Sequence, residues 1–342
     1  LRIACIAAMF ALVAACGGGS TKNARPERQP LRIGLLLDDL HERWEKDREL
    51  FIASAKQLGA EVLVRAAEGD HDRQVKLATE LLDAGVKTLV IVPHDSDKAL
   101  AIVAIAKARK VPVVSYDRLI KGADVDLYAS FDNTKVGAMQ ANYLLSKAPQ
   151  GNYLLIGGSP TDNNAKMIRE GHMKVLAPAV KSGDVRIVGD PWADDWSAAS
   201  SQRFTEEALK KTHNRLTAIL ASNDTTAGGA IAALEAHGLA GKVLVSGQDA
   251  ELDAIRRIVA GTQTMTVYKP VRSLANLAAR NAVRLAEGES VYTATTVNNG
   301  FKDVPAMLLE PSVGDKENVE YTVISDGYQK RDEVFRAADV KH

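Results

Sequence analysis

The chain has 342 residues, with 43 Lys and Arg balanced by 43 Asp and Glu. That balance excludes a nucleic-acid binder working through a basic surface, and 46% hydrophobic with 25% charged residues excludes wholesale disorder. At roughly 150 residues per domain the length corresponds to about two domains. Both cysteines, Cys5 and Cys16, lie at the start, so the body has no disulfide framework, cysteine-ligated zinc site or thiol nucleophile.

Residues 1–15 place one Arg before a short apolar run that ends in small residues. A bilayer span needs about 20 apolar residues, so the run reads as the core of a secretory signal. A buried apolar helix is the alternative. Val13-Ala14-Ala15-Cys16 resembles a bacterial lipobox, whose cysteine becomes the lipid-modified first residue. Residues 16–30 are rich in Gly, Ser, Pro and charge, which predicts a flexible tether. The first residue is Leu, which suggests a non-Met start codon or a clipped sequence. The expectation is an extracytoplasmic lipoprotein held to a membrane through Cys16, where ATP and nicotinamide cofactors are scarce.

From residue 31 strands and helices alternate. Leu31–Leu37 is an apolar run of the kind a buried parallel strand shows. A helix follows, with Phe51, Ala55 and Leu58 on one stripe. Then come Glu61–Arg65 (strand), 70–84 (helix), Thr88–Val92 (strand), 97–109 (helix) and Val111–Ser115 (strand). After a short stretch to Asn133, strands are predicted at Tyr153–Ile156, Val185–Val188, Leu216–Ala221, Val243–Ser246 and Thr264–Tyr268. Helical patterns lie between them, such as Ala227, Ala230, Ile231 and Leu234. This alternation implies parallel sheets with right-handed crossovers. The expected architecture is α/β, two doubly wound lobes split near 134–150, with a (β/α)8 barrel as the alternative.

Ligands of open parallel sheets bind beyond the carboxyl ends of the strands, and those positions are polar here. They include Asp38-Asp39, Tyr116-Asp117-Arg118, Ser159 through Asn164, Ser222-Asn223-Asp224, Gly247-Gln248-Asp249 and Tyr268-Lys269. Any single Asp or Asn of this kind is an ordinary helix cap; recurrence at so many strand ends favours a ligand. Phosphate-loop, dinucleotide, zinc-protease and nucleophile-elbow motifs are absent. The seven His residues have no metal-ligand spacing and read as surface or packing residues. The sequon Asn223-Asp224-Thr225 reads as coincidence. No metal and no cofactor is expected.

Asp, Asn, Arg, Lys and Trp without nucleophile or metal suit a neutral polyhydroxylated ligand. Carboxylates accept from hydroxyls, Arg and Lys donate to them, and Asn does both. The C–H faces of a sugar ring need flat apolar walls. Of the three Trp, Trp44 follows the first strand-end loop, Trp192 suits packing, and Trp196 sits in a polar loop. Trp44 also fits the core stripe of the helix that carries Phe51.

The runs Glu42-Arg43-Trp44-Glu45-Lys46-Asp47-Arg48, Tyr116-Asp117-Arg118, Ser130-Phe131-Asp132-Asn133, Gly157 through Lys166, Ala221 through Gly229, Gly247-Gln248-Asp249-Ala250 and Gln263 through Pro270 carry a resemblance. From about Leu31 to Gly327 the chain resembles the D-xylose-binding proteins of bacterial ABC importers, a branch of the sugar-binding periplasmic proteins of the ribose-binding type. The resemblance implies a type I periplasmic-binding-protein fold, with two lobes joined by a three-stranded hinge. Residues 31–135 plus 271–310 would form the N-terminal lobe, and 136–270 plus 311–342 the C-terminal lobe. It also implies sugar contacts from Arg43, Asp117 and Arg118 on the first lobe. Asp162, Asn164, Asn223, Asp249 and Lys269 would serve from the second lobe or hinge, with Trp44 and Trp196 as stacking walls. Asn163 competes with Asp162 for its place. The implied partners are a monosaccharide, D-xylose foremost, and an ABC permease; a monomer is expected, and no nucleic acid. The lipobox and tether depart from freely soluble members.

Three other readings compete. The same sugar-closed form could signal to a membrane kinase or chemoreceptor. A transcription regulator on this fold would need a DNA-binding helix-turn-helix before Leu31, where the signal and tether stand. A sugar enzyme could use Asp117 and Asp249 as acid and base; no enzymatic activity is expected.

Overall fold

The computed structural model describes residues 30–335. The signal, tether and Cys16 expected from the sequence lie outside them. Among the described residues no helix is long and apolar enough to cross a membrane.

The first part of the chain runs β1 (Leu31–Leu37), α1 (Glu42–Gln57), β2 (Ala60–Ala66), α2 (His71–Asp83), β3 (Thr88–Ile91), α3 (Leu100–Ala108), β4 (Val113–Tyr116) and β5 (Leu127–Phe131). The middle runs α4 (Asn133–Lys147), β6 (Gly151–Ile156), α5 (Asn163–Ser182), β7 (Val185–Gly189), α6 (Ala198–Thr212), β8 (Ala218–Ala221), α7 (Asp224–Ala236), β9 (Leu244–Val245), α8 (Leu252–Ala260) and β10 (Thr266–Tyr268). The remainder is α9 (Val271–Ala286), β11 (Thr295–Asn298), β12 (Asp303–Leu309), β13 (Ser312–Gly314) and a C-terminal segment over 319–334.

A seven-stranded sheet has the order β11-β12-β5-β4-β3-β1-β2, parallel throughout except where β11 returns antiparallel to β12. Both faces of its central strands are buried, which is why β3, β4, β5 and most of β1 are largely apolar. Ile33, Leu35 and Leu37 of β1 feed the core under α1 and α9, while Leu36 feeds the core under α2 and α3. A second, parallel sheet of four strands has the order β7-β6-β8-β9. Its two cores lie under α6 and α7 and under α4 and α5. Two open sheets, each wound on both faces, make a doubly wound α/β fold and exclude the barrel.

The chain leaves the large sheet after Phe131, returns through Pro270 into α9, and leaves again after Leu309 to pair β13 with β10. That ribbon sets Thr266 opposite Gly314 and Tyr268 opposite Ser312.

Several elements differ from the sequence reading. β5 is a central strand, although Leu127-Tyr128-Ala129-Ser130-Phe131 looked like part of a connection; the acidic Asp124 and Asp126 before it masked a fully buried run. β11 and β13 are short and largely outside the cores, and β12 (Asp303–Leu309) buries only Val304 and Ala306 fully. Leu58 is not on the core stripe: it ends α1 and is 45% exposed. Trp44 takes its place, in register with Phe51 and Ala55.

Candidate functional site

The carboxyl ends of the two sheets face one another across a cavity of about 110 Å³, several times the roughly 10–15 Å³ that one water needs. One wall comes from the ends of β1, β3 and β4 and the start of α1; the other from the ends of β6, β8, β9 and β10 and the loop before α6. Arg43, Trp44, Asp117, Arg118, Asp162, Asn164, Trp196, Asn223, Asp249 and Lys269 all line this one cavity. The structure thus brings together all ten residues singled out in the sequence.

On the first wall Arg43 is 3% exposed and is shared among three carboxylates. Its Nη2 donates to Asp117 at 2.5 Å, its Nη1 to Asp249 at 2.9 Å and its Nε to Asp47 at 3.4 Å. Asp47 lies one helical turn along α1 and accepts from the Tyr116 hydroxyl. Arg118 donates to Asp38 at 2.6 Å and to Asp162 at 2.7 Å, and Asp38 also meets His94 Nδ1 at 2.9 Å. The Asp117 carbonyl accepts from Ser130 (2.5 Å), Tyr128 (3.1 Å) and Asn164 (3.2 Å). These bonds hold Asp117 at φ 60°, a left-handed conformation that costs a non-glycine residue about 1–3 kcal/mol.

On the second wall the polar residues double as helix caps. Asp162 caps α5 by accepting from the Asn164 N–H at 2.8 Å, and Asn223 caps α7 in a reciprocal box with Thr226. Capping and lining are therefore not alternatives: a helix N-terminus points each residue at the cavity. Asp249 has φ 95° and sits between Arg43 and Lys269, the latter at 2.9 Å. Trp196 also has a positive φ, 57°, and its ring lies over Gly158. A Cβ there would come within 2.3 Å of the indole. Trp192 covers Gly157 in the same way, with a Cβ approach of 2.7 Å, as packing rather than lining. Trp44 does both jobs: it belongs to the first core and faces the cavity, with the guanidinium groups of Arg43 and Arg118 4.7 and 5.5 Å from its ring centre.

Burial pushes each of these carboxyls up, and local cations decide the outcome. Arg43 and Lys269 overcome burial at Asp117 and hold it at about 2; Lys269 and Arg43 lower Asp249. The His94 hydrogen bond and Arg118 bring Asp38 to about 2. Burial wins at Asp162, which is raised despite Arg118, and at Asp47, which reaches about 6. Asn164 Oδ1 and Gln248 Oε1 are buried acceptors with no partner among the described residues, and both residues line the cavity. The cations are already satisfied by carboxylates, so the walls offer paired charges and open amide groups to hydroxyls. Among the described residues no group of His, Cys, Asp or Glu side chains could hold a metal ion.

His41 and His94 line the cavity too, against the sequence reading of the histidines as surface or packing residues. His94 stands just past β3, so the strand-end rule identifies it; testing histidines only for metal spacing hid it.

Four similarities bear on the site. Residues 33–290 match the model of the periplasmic binding protein domain. The chain is 48% identical to the D-xylose-binding periplasmic protein of Escherichia coli (strain K12), over 94% of this chain and 98% of that protein. It is 46% identical to the protein of the same description from Haemophilus influenzae, over 95% and 98%. In structure it matches a carbohydrate transporter solute-binding protein from Chloroflexus aurantiacus in complex with D-glucose. That match has a TM-score of 0.84 and 31% identity, and covers 90% of this chain and 99% of the other.

Proposed function

We propose, from the premise that this chain belongs to the periplasmic binding protein family, that it captures a monosaccharide, D-xylose foremost, in the cavity between its two sheets and delivers it to an ABC permease. The observation that carries this is the cavity itself: two indoles and a ring of paired Asp, Arg, Lys and Asn side chains, drawn from the strand ends of both sheets. A pyranose lying between Trp44 and Trp196 would place its hydroxyls against Asp117, Arg118, Asn164, Asn223, Asp249 and Lys269. Residues 31–135 with 271–310 act as one lobe and 136–270 with the described part of 311–342 as the other. The three chain crossings act as the hinge.

Sugar drives closure because it touches both walls only when they meet, a differential interaction that shifts the open–closed equilibrium. A micromolar dissociation constant corresponds to about −8 kcal/mol, within reach of several charge-assisted hydrogen bonds and two stacking faces. The closed form is what a permease would read. Binding and release, without bond making, suits a cavity in which Asp38, Asp117, Asp162 and Asp249 are all engaged by cations. The lipobox-like Val13–Cys16 run supports an anchor on Cys16, outside the cytoplasmic membrane. Metabolic labelling with palmitate that is lost in Cys16→Ser tests the anchor; equal labelling of both would overturn it.

Calorimetry across D-xylose, D-glucose, L-arabinose and D-ribose tests the function. Tightest binding is expected for D-xylose. No heat with D-xylose while another sugar titrates would overturn the specificity, and no heat with any sugar would overturn sugar capture.

A further inference from the structure

The segment over 319–334 packs on α8 and β10 through Val319, Val323, Tyr328 and Val334, yet it also grips α1, on the other sheet. Lys46 Nζ donates to the Tyr328 carbonyl at 3.0 Å and to Gln329 Oε1 at 2.9 Å, and lies 4.3 Å from the centre of the Tyr328 ring. Leu50, one turn further along α1, packs into the same cluster. Gln329 is 3% exposed, and its amide donates to the Ala250 carbonyl at 2.9 Å. Ala250 and its neighbour Asp249 both have positive φ, 55° and 95°, and Asp249 joins Arg43 and Lys269 in the cavity.

We infer that Gln329 is a positioning residue for sugar capture. Through its amide it holds the strained Asp249-Ala250 turn from behind, and through Lys46 it ties that turn to the helix that carries Arg43. Arg43 and Lys46 lie within one turn of α1. One face of the helix therefore meets Asp249 in the cavity while the next meets the strap that supports Asp249. When the lobes close, both contacts form together, so the carboxylate arrives at the sugar already oriented. Two left-handed residues in succession cost about 1–3 kcal/mol each unless their surroundings over-determine them. The Gln329 amide, Asp249 N–H to Val267 O at 3.0 Å and Ala250 N–H to the Thr266 hydroxyl at 3.3 Å supply that constraint.

The inference rests on the proposed sugar capture, and the test separates the two. Gln329→Glu keeps the acceptor facing Lys46 but loses the donor to the Ala250 carbonyl, whereas Gln329→Met loses both. Both variants should bind D-xylose about fivefold to tenfold more weakly, through the looser Asp249 turn, while the thermal midpoint of the sugar-free protein falls by only a few °C. Lys46→Met should weaken binding less than Gln329→Met, Lys46→Arg should restore it, and Lys46→Met combined with Gln329→Met should weaken binding by less than the two single effects together. In the sugar-free protein, amide exchange at 248–252 should quicken in both Gln329 variants, a readout that stands whether or not any sugar binds. Unchanged exchange at 248–252, or wild-type affinity in Gln329→Met, would overturn the role of Gln329. A wild-type protein that binds no sugar would overturn sugar capture instead.

Discussion

The two walls of the cavity present similar side chains but hold them by different means. On the first wall Arg43 and Arg118 stand at the centre of a web of ion pairs with Asp38, Asp47, Asp117, Asp162 and Asp249, against the Trp44 ring. On the second wall Asp162 and Asn223 are fixed by the N-termini of α5 and α7, whose unpaired N–H groups need an acceptor whatever the ligand. The difference teaches that stability and binding are entangled in unlike ways. Removing a cation from the first wall strands buried carboxylates. Removing a cap from the second costs a helix end and can be undone by another capping residue.

The largest expected effect is on the first wall. Arg43→Met leaves Asp117 and Asp249 short of a counter-ion and should lower stability at neutral pH by about 3–5 kcal/mol. Urea denaturation of the sugar-free protein measures this, and a loss below about 1 kcal/mol would mean that the web is not what holds the wall. Next comes a contrast at Asn223. Asn223→Asp keeps the oxygen that accepts from the Thr226 N–H at 2.9 Å but loses the amide donor. It should retain stability within about 0.5 kcal/mol while weakening sugar binding at least about tenfold. Asn223→Ala should lose about 1 kcal/mol in addition. Equal stability of the two variants would show that the cap contributes nothing.

The smallest effect is electrostatic. The hydrogen bond to Asp38 raises the His94 pKa, so the charged pair adds stability below the ordinary histidine value of about 6.5. That contribution fades as pH rises through the folded-state value. The stability gap between wild type and His94→Gln should therefore be wider near pH 5.5 than near pH 8.5. A gap independent of pH would show that His94 carries no charge. Asp38 and Asp117, both held at about 2, act with the opposite sign. Their contribution is present above the ordinary carboxylate value and is lost as pH falls from about 4 toward 2.

Much of this was legible in the sequence. The apolar runs of β1, β3, β6 and β8 are self-evident strands because both faces of a parallel sheet are dry. The polar groups that follow them mark the site, because ligands of such sheets meet the strand ends. β5 and β11 to β13 escaped because their strand character comes from neighbours: β5 lies between β4 and β12, and β13 exists only opposite β10. The chain passes from the first sheet to the second between Phe131 and β6, through α4, which packs on α5. His94 sits just past β3, where the strand-end rule applies, but its spacing to the other histidines carries no ligand pattern.

Local spacing and composition by themselves determined an α/β chain with polar strand ends and a thiol-free body, since these depend on residues close in sequence. Which carboxylate each arginine meets, and the tie from Lys46 through Gln329 to Ala250, 282 to 283 and 79 residues apart in the chain, were decided only by tertiary structure. Pairings across such separations depend on how two sheets and a strap are docked, and no periodicity in the chain encodes that.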